Sequence, residues 1–388
     1  MEKAAGDEII RVEDLYLNFY TYEGVVKALD GVSLDIKRGE ILGVVGETGC
    51  GKSVTSLSIL KIVVPPGKIE GGQIKFNVKG KTYNMLEFNE PTMSRVRGRY
   101  ISMVFQEPRA ALNPVYSVGD QIGEVFYLHR KEEIIKAVIE QLKKDVETAK
   151  GFRKHVSRLY LSLYERMLKN PKSLRVRLAS KIPILKRFKN LMKKEVRKHT
   201  VELLRVLRIP DPERVVDMYP HELSGGMAQR CVIAMALVAN PILLIADEPT
   251  TNLDVTVQAQ ILVLIRELQK KFGSTILYIT HDLGVVAELC DRVAVMYAGN
   301  VVEIADVMTL FKEPLHPYTQ GLLESIPRPG KPFTSIPGIV PSLINPPPGC
   351  RFNERCKYAM DICWKQKPPL VEAGKEHYVA CHLYSGGK

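Results

Sequence analysis

Gly46-Glu47-Thr48-Gly49-Cys50-Gly51-Lys52-Ser53 follows directly on the apolar run Ile41-Leu42-Gly43-Val44-Val45. That order reads as a buried strand feeding a glycine-rich turn that opens a helix. Gly46, Gly49 and Gly51 let the backbone aim its N–H groups inward at phosphate oxygens. A helix starting near Lys52 adds unpaired N–H groups and the positive end of its dipole. Lys52 supplies a flexible cation for β- and γ-phosphates, and the Ser53 hydroxyl is placed to ligate Mg²⁺. Eight residues can match such a pattern by accident, so the rest of the chain must supply a metal carboxylate and a base for water.

At 388 residues, 45% apolar and 25% charged, the chain predicts one large folded core with an appended unit. Met1 to Glu8 has neither the charge order nor the apolar centre of a signal peptide, which predicts a protein that stays in the cytoplasm. The richest apolar stretch, Cys231 to Ala246, is split by Asn240-Pro241, so no membrane span is expected. The net charge of +12 is uneven: Arg130 to Lys198 holds 22 Lys/Arg against 7 Asp/Glu, a local +15 that leaves −3 elsewhere. The basic character therefore belongs to one segment.

Alternating apolar residues predict two strands between Ile9 and Ile36, joined by the aromatic turn Phe19 to Gly24. Phe19 reads as core, and Tyr22 as a ring that stacks on a nucleotide base. A helix is expected from Ser53 to Val64, and strands at 71–78 and from Tyr100 to Gln106. Gln106 thus sits at a strand's carboxyl end, where open α/β sheets bind ligands, within reach of a metal or attacking water. From Tyr127 to Thr200 the pattern is helical, with Val156, Leu159, Tyr160, Leu163, Tyr164 and Met167 on one apolar face and Lys/Arg on the other. That segment reads either as a solvated hairpin or as a contact for anionic lipid headgroups or an acidic partner. Ser224-Gly225-Gly226 opens a second helix, expected from Arg230 to Ala239, with an anion-ready N-terminus. A strand from Pro241 to Ala246 runs into Asp247-Glu248, two carboxylates costly to bury unless they hold a cation or do chemistry. Thr250-Thr251-Asn252-Leu253-Asp254 turns into a helix expected over Val257 to Phe272, and the strand Thr275 to Thr280 ends at His281.

With these motifs in this order, the chain resembles the ATP-binding subunits of ABC transporters. The resemblance implies an α/β fold: a RecA-like phosphate-loop core with an antiparallel β subdomain and a helical subdomain. It implies that Tyr22 stacks adenine and that Gly46, Glu47, Thr48, Gly49, Cys50, Gly51, Lys52, Ser53 and Val54 wrap the phosphates of ATP. It also implies that Ser53 and Gln106 reach Mg²⁺, Asp247 orients the metal, Glu248 polarises water, and His281 is the switch near the γ-phosphate. Ser224, Gly225, Gly226 and Asp254 are expected in the composite site, the Ser224 loop contacting ATP bound to a second ATPase subunit, a paralogue in a heterodimer. Met227 stands where many ABC proteins have Gln, a departure that leaves those contacts unaltered.

His316-Pro317-Tyr318-Thr319, Ile336 to Pro341 and Pro348 to Phe352 resemble the C-terminal extension of dipeptide/oligopeptide-permease ATPases. Cys350, Cys356, Cys363 and Cys381 fall in this tail, separated by 5, 6 and 17 residues. A cytoplasmic chain argues against disulfides, the ligands two to four apart usual for structural zinc are missing, and iron–sulfur spacings are more varied. The resemblance implies a 4Fe-4S cluster on these four residues, with zinc as the alternative. Eight prolines between Pro327 and Pro348 leave few regular hydrogen bonds for a core, so a metal staple is expected to substitute for one.

The expected organisation is a nucleotide-binding domain over 1–312, its helical subdomain over 107–222 with a basic insertion over 129–200, and a Cys/Pro-rich extension over 313–388. The expected function is the ATP-hydrolysing motor of an importer for oligopeptides, dipeptides or related solutes. It works peripherally on the cytoplasmic face of the membrane with two permease subunits and an extracytoplasmic solute-binding protein, and without nucleic acid. The competing class is a soluble ABC ATPase acting on nucleic acid or ribosomes, suggested by the pI near 9.2.

Overall fold

A computed structural model describes residues 8–170, 188–251, 253–327 and 335–385. The expectations for Asn252, for the basic stretch over 171–187 and for part of the proline-rich tail therefore lie outside the described residues. Contacts divide the chain into two compact units, one of residues 1–106 with 242–388 and one of residues 107–241.

In the first unit, alternating burial makes β1 (Glu8–Thr21) and β2 (Gly24–Lys37) a long antiparallel pair. Five consecutive buried residues make β3 (Ile41–Val45) a strand covered on both faces. Next come β4 (Gly67–Val78) and β5 (Lys81–Asn84), then the short β6 (Ile101–Val104), β7 (Leu243–Asp247), β8 (Thr275–Thr280), β9 (Arg292–Tyr297) and β10 (Asn300–Asp306). β11 (Val371–Gly374) and β12 (His377–Val379) lie in the tail. Four strands form an antiparallel sheet in the order β2-β1-β4-β5, and eight form a mixed sheet in the order β11-β12-β10-β9-β3-β8-β7-β6. Ile10, Leu15, Val32, Ile36, Ile74 and Phe76 from the first sheet share a core with Leu42, Val44, Leu277 and Ile279 from the second. Arg292 ties the same two layers, its guanidinium donating to Asp35 at 3.0 and 3.1 Å and to Glu40 at 3.1 Å.

The helix after the phosphate loop runs Lys52–Ile59, shorter than expected, because Lys61 takes a left-handed φ of 51° that ends the turn. Tail strands β11 and β12 extend the large sheet through β10, a pairing that the sequence pattern did not announce.

The second unit is helical. Helices Lys131–Thr148 and Phe152–Lys169 form a hairpin, with Ile134, Ile135, Val138, Ile139 and Leu142 buried on the first. On the second only Leu163 and Tyr164 are buried, and Leu159 is 47% exposed, so the expected apolar face is narrower than its pattern. Among the described residues no helix is long and apolar enough to cross a membrane.

The tail is not coreless. The Phe352 ring lies 5.1 Å from Tyr297, 5.4 Å from Tyr318 and 5.9 Å from His316. Fully buried Glu303 on β10 accepts from the Leu315 and His316 N–H groups at 2.8 and 2.9 Å and contacts His377 Nε2 at 2.7 Å. Sheet addition and an aromatic cluster thus give the tail a core of its own.

His316 Nδ1 accepts from the Tyr318 N–H at 3.0 Å, which fixes a neutral ring, and burial pushes its pKa down to about 4. An unfolded His titrates near ~6.5, so between those values the unfolded chain binds the extra proton. Stability from this site is present above ~6.5 and lost as pH falls toward about 4, by up to roughly 3 kcal/mol. Thermal melts from pH 7.5 to 5 should drop more steeply for the wild type than for His316→Gln, and equal slopes would rule the site out.

Candidate nucleotide site

Strands β3, β8, β7 and β6 are parallel neighbours, so their carboxyl ends share one edge of the sheet. That edge carries the phosphate loop after β3, Gln106 after β6, Asp247-Glu248 at the end of β7 and His281 after β8. Sequence places these residues up to hundreds of positions apart, and topology brings them together.

The loop rests on β9 and on the start of β2. A Cβ on Gly46 would meet the Met296 carbonyl at 2.1 Å, and one on Gly51, at φ +101°, would meet Leu29 at 2.7 Å. Only glycine passes at either point. Cys50 is buried beneath the turn, while Thr48 and Gly49 are exposed. Lys52 is buried and donates to its own loop's carbonyls, Gly46 O at 2.7 Å and Glu47 O at 3.1 Å. Its ammonium is thus held against its own loop. Val54 continues the helix and packs partly against the core.

The Ser53 hydroxyl donates to Asp247 Oδ1 at 3.0 Å. Burial pushes the Asp247 carboxyl up, against the Ser53 hydrogen bond. Glu248 stands at a left-handed φ of 45° that turns its side chain out of the strand line. Its carboxylate collects three polar groups: Gln106 Nε2 donates at 3.1 Å, the Thr251 hydroxyl donates at 3.0 Å, and His281 Nδ1 lies 3.2 Å away. Thr251 was not among the expected residues; its position in the Thr250-Thr251 turn was the only signal. The arrangement holds the Glu248 carboxylate beside the Ser53–Asp247 hydroxyl–carboxylate pair.

Tyr22 is 98% exposed at the turn between β1 and β2. Ser224 caps helix Gly225–Leu237 by accepting from the Met227 N–H at 3.3 Å, and Gly225 and Gly226 form its first turn. Asp254 likewise caps helix Val255–Phe272, accepting from the Val257 N–H at 2.9 Å.

Cys350, Cys356, Cys363 and Cys381 line one small cavity with His316, Phe352 and His382. All four are free thiols, and burial pushes Cys350 up to about 12. Among the described residues no three His, Cys, Asp or Glu side chains form a group that could hold a metal ion. The four expected cluster residues nonetheless share one cavity.

The ABC transporter family profile matches residues 29–251, and that of the oligopeptide/dipeptide transporter C-terminal region matches residues 302–363. The chain belongs to the ABC transporter family, as an ATP-binding cassette. Within that family it stands with the ATP-binding subunits of the dipeptide/oligopeptide group. It is 43% identical over 380 residues to the oligopeptide transport ATP-binding protein OppD of Bacillus subtilis, covering 97% of this chain and 88% of that one. It is 40% identical over 381 residues to the dipeptide transport ATP-binding protein DppD of the same organism, covering 97% and 95%. Among solved structures, cbiO1 from Clostridium perfringens, part of the ABC transporter complex cbiONQ, matches at TM-score 0.52 and 27% identity over 79% of this chain and 92% of that one. The dimeric bacterial ABC transporter cassette MJ0796 matches at TM-score 0.51 and 23% identity over 77% and 99%, a likeness of fold.

Proposed function

We propose that the chain is the ATP-hydrolysing motor of an importer for oligopeptides or dipeptides. It works at the cytoplasmic face of the membrane with a second ATPase subunit, two permeases and a solute-binding protein. The supporting observation is the joint one: a base, a hydroxyl–carboxylate pair and a phosphate loop on one sheet edge, in a chain aligned nearly end to end with peptide-transport ATP-binding proteins. Loop N–H groups and Lys52 hold the phosphates. Ser53 and Asp247 would hold Mg²⁺, which would supply charge neutralisation on the phosphates. Glu248 takes the hydrogen bond of the attacking water, and Gln106 and His281 fix its carboxylate toward that water. Thr48, Gly49 and the helix N-terminus offset charge that spreads to the phosphate oxygens as the bond breaks.

ATPase activity of the assembled complex with its binding protein tests this reading: stimulation by oligopeptides supports it, while co-purification with RNA and no stimulation by peptides favours the nucleic-acid alternative. The Ser224 loop is read as serving the partner's ATP. Ser224→Arg is therefore expected to abolish ATP-driven dimerisation in a Glu248→Gln background while leaving ATP binding to the monomer within about twofold, measured by size exclusion and fluorescence titration.

For the tail we infer a 4Fe-4S cluster on Cys350, Cys356, Cys363 and Cys381, with zinc as the alternative. The four cysteines lining one cavity support it. Anaerobically purified protein should carry roughly four irons and a broad visible absorbance, both lost in Cys363→Ser. Zinc with no iron selects the alternative, and neither metal leaves a plain thiol cavity.

A further inference from the structure

Glu47, the first residue after Gly46 in the phosphate loop, is held by two groups from the C-terminal tail. Its N–H donates to the Tyr318 hydroxyl at 2.9 Å. Its carboxylate accepts both arms of the Arg355 guanidinium, Nη1 at 3.0 Å and Nη2 at 3.1 Å. The Arg355 side chain is 6% exposed and lies over the Tyr297 ring at 5.6 Å and the Phe352 ring at 5.8 Å. It also donates to the Tyr297 hydroxyl at 3.2 Å and to the Pro337 carbonyl at 2.9 Å. The guanidinium is therefore locked in place before it meets Glu47. Tyr318 is fully buried and equally fixed.

Among the described residues no other group pairs with the Glu47 carboxylate, and the Glu47 carbonyl is a hydrogen-bond partner of both Lys52 and the Cys50 N–H. A shift of Glu47 would move the Lys52 ammonium and the Thr48–Gly49 turn together. A bidentate pair from a rigid platform restricts such shifts far better than a single flexible contact.

We propose that Arg355, assisted by Tyr318, is a positioning residue for the phosphate loop: the cysteine-bearing tail sets nucleotide affinity by holding Glu47. The proposal rests on reading this loop as the nucleotide site. Arg355 lies one residue before Cys356 and four after Arg351, so any change in the thiol cavity reaches the loop through a short rigid segment, the 3₁₀ turn Asn353–Arg355.

The test uses the full-length chain for Mg²⁺-dependent binding of a fluorescent ATP analogue, and the assembled importer for KM and kcat. Arg355→Ala is expected to raise Kd and KM about tenfold with kcat within about twofold, and Arg355→Lys, which keeps charge but loses the fork, to fall between. Glu47→Gln should raise both by a similar factor, and the Arg355→Ala, Glu47→Gln double variant should be no worse than either alone. Unchanged Kd in Arg355→Ala, or effects that multiply in the double variant, would overturn the clamp. If Arg355→Ala fails to fold, Glu47→Gln and Arg355→Lys decide by the same criterion. Lys52→Ala is the control that separates the two readings: if it leaves binding intact, the loop assignment falls and the clamp with it, whereas lost binding beside a silent Arg355→Ala sinks the clamp alone.

Discussion

Glu248→Gln is expected to cut ATP hydrolysis by about a hundredfold or more while ATP still binds with near-normal affinity. The side chain keeps its shape, so the Thr251 hydroxyl, which now donates at 3.0 Å, retains an acceptor if the new amide turns its oxygen that way. The Gln106 amide donates at 3.1 Å to that same oxygen and keeps its acceptor without turning. What vanishes is the charge that would draw a proton from water on the proposed reading, and His281 at 3.2 Å loses its anionic neighbour. None of these groups touches Lys52 or the loop carbonyls, which is why binding is spared. Single-turnover hydrolysis and nucleotide titration on the same preparation separate the two effects. Hydrolysis within tenfold of wild type would remove Glu248 from the role of base.

Much of this site is legible in sequence because its parts are strand ends. A run such as Leu243 to Ala246 is apolar throughout, and the switch to Asp247-Glu248 marks where the buried strand meets ligand space. The same logic finds Gln106 and His281. The phosphate loop is readable because glycine is required where the backbone passes within 2.1 Å of where a Cβ on Gly46 would meet Met296. What sequence spacing cannot supply is contact between distant segments. Arg355 is separated from Glu47 by 308 positions and sits in a tail whose cysteines draw the eye to metals. Tyr318 falls inside a motif that signals family, not partner. The extra strands β11 and β12 are short and polar on one side, so periodicity alone leaves them as loop. Leu159 shows the opposite error: helical spacing places it on an apolar face, but the residue is 47% exposed.

Lys52→Ala should have the largest effect on nucleotide binding, weakening it by about a hundredfold or more. In the structure the ammonium is bound at 2.7 Å to the Gly46 carbonyl and at 3.1 Å to the Glu47 carbonyl. Those two acceptors fix the cation at the mouth of the loop, so little further ordering is needed when phosphate arrives. Removing it takes away the strongest point charge facing the β- and γ-phosphates and leaves two carbonyl oxygens turned toward an anion. Both consequences act in the same direction. The loop itself should persist, because Gly46 and Gly51 are fixed by packing on Met296 and Leu29 and Glu47 by Arg355 and Tyr318. Thermal stability without nucleotide is therefore expected to change little, while the stabilisation that Mg²⁺-ATP gives the wild type disappears. Lys52→Arg tests whether charge alone suffices: its planar fork cannot reach the same two carbonyls from a buried stem, so it should restore only part of the affinity. A melting shift with Mg²⁺-ATP equal to that of the wild type in Lys52→Ala would mean that this loop is not where the phosphates bind.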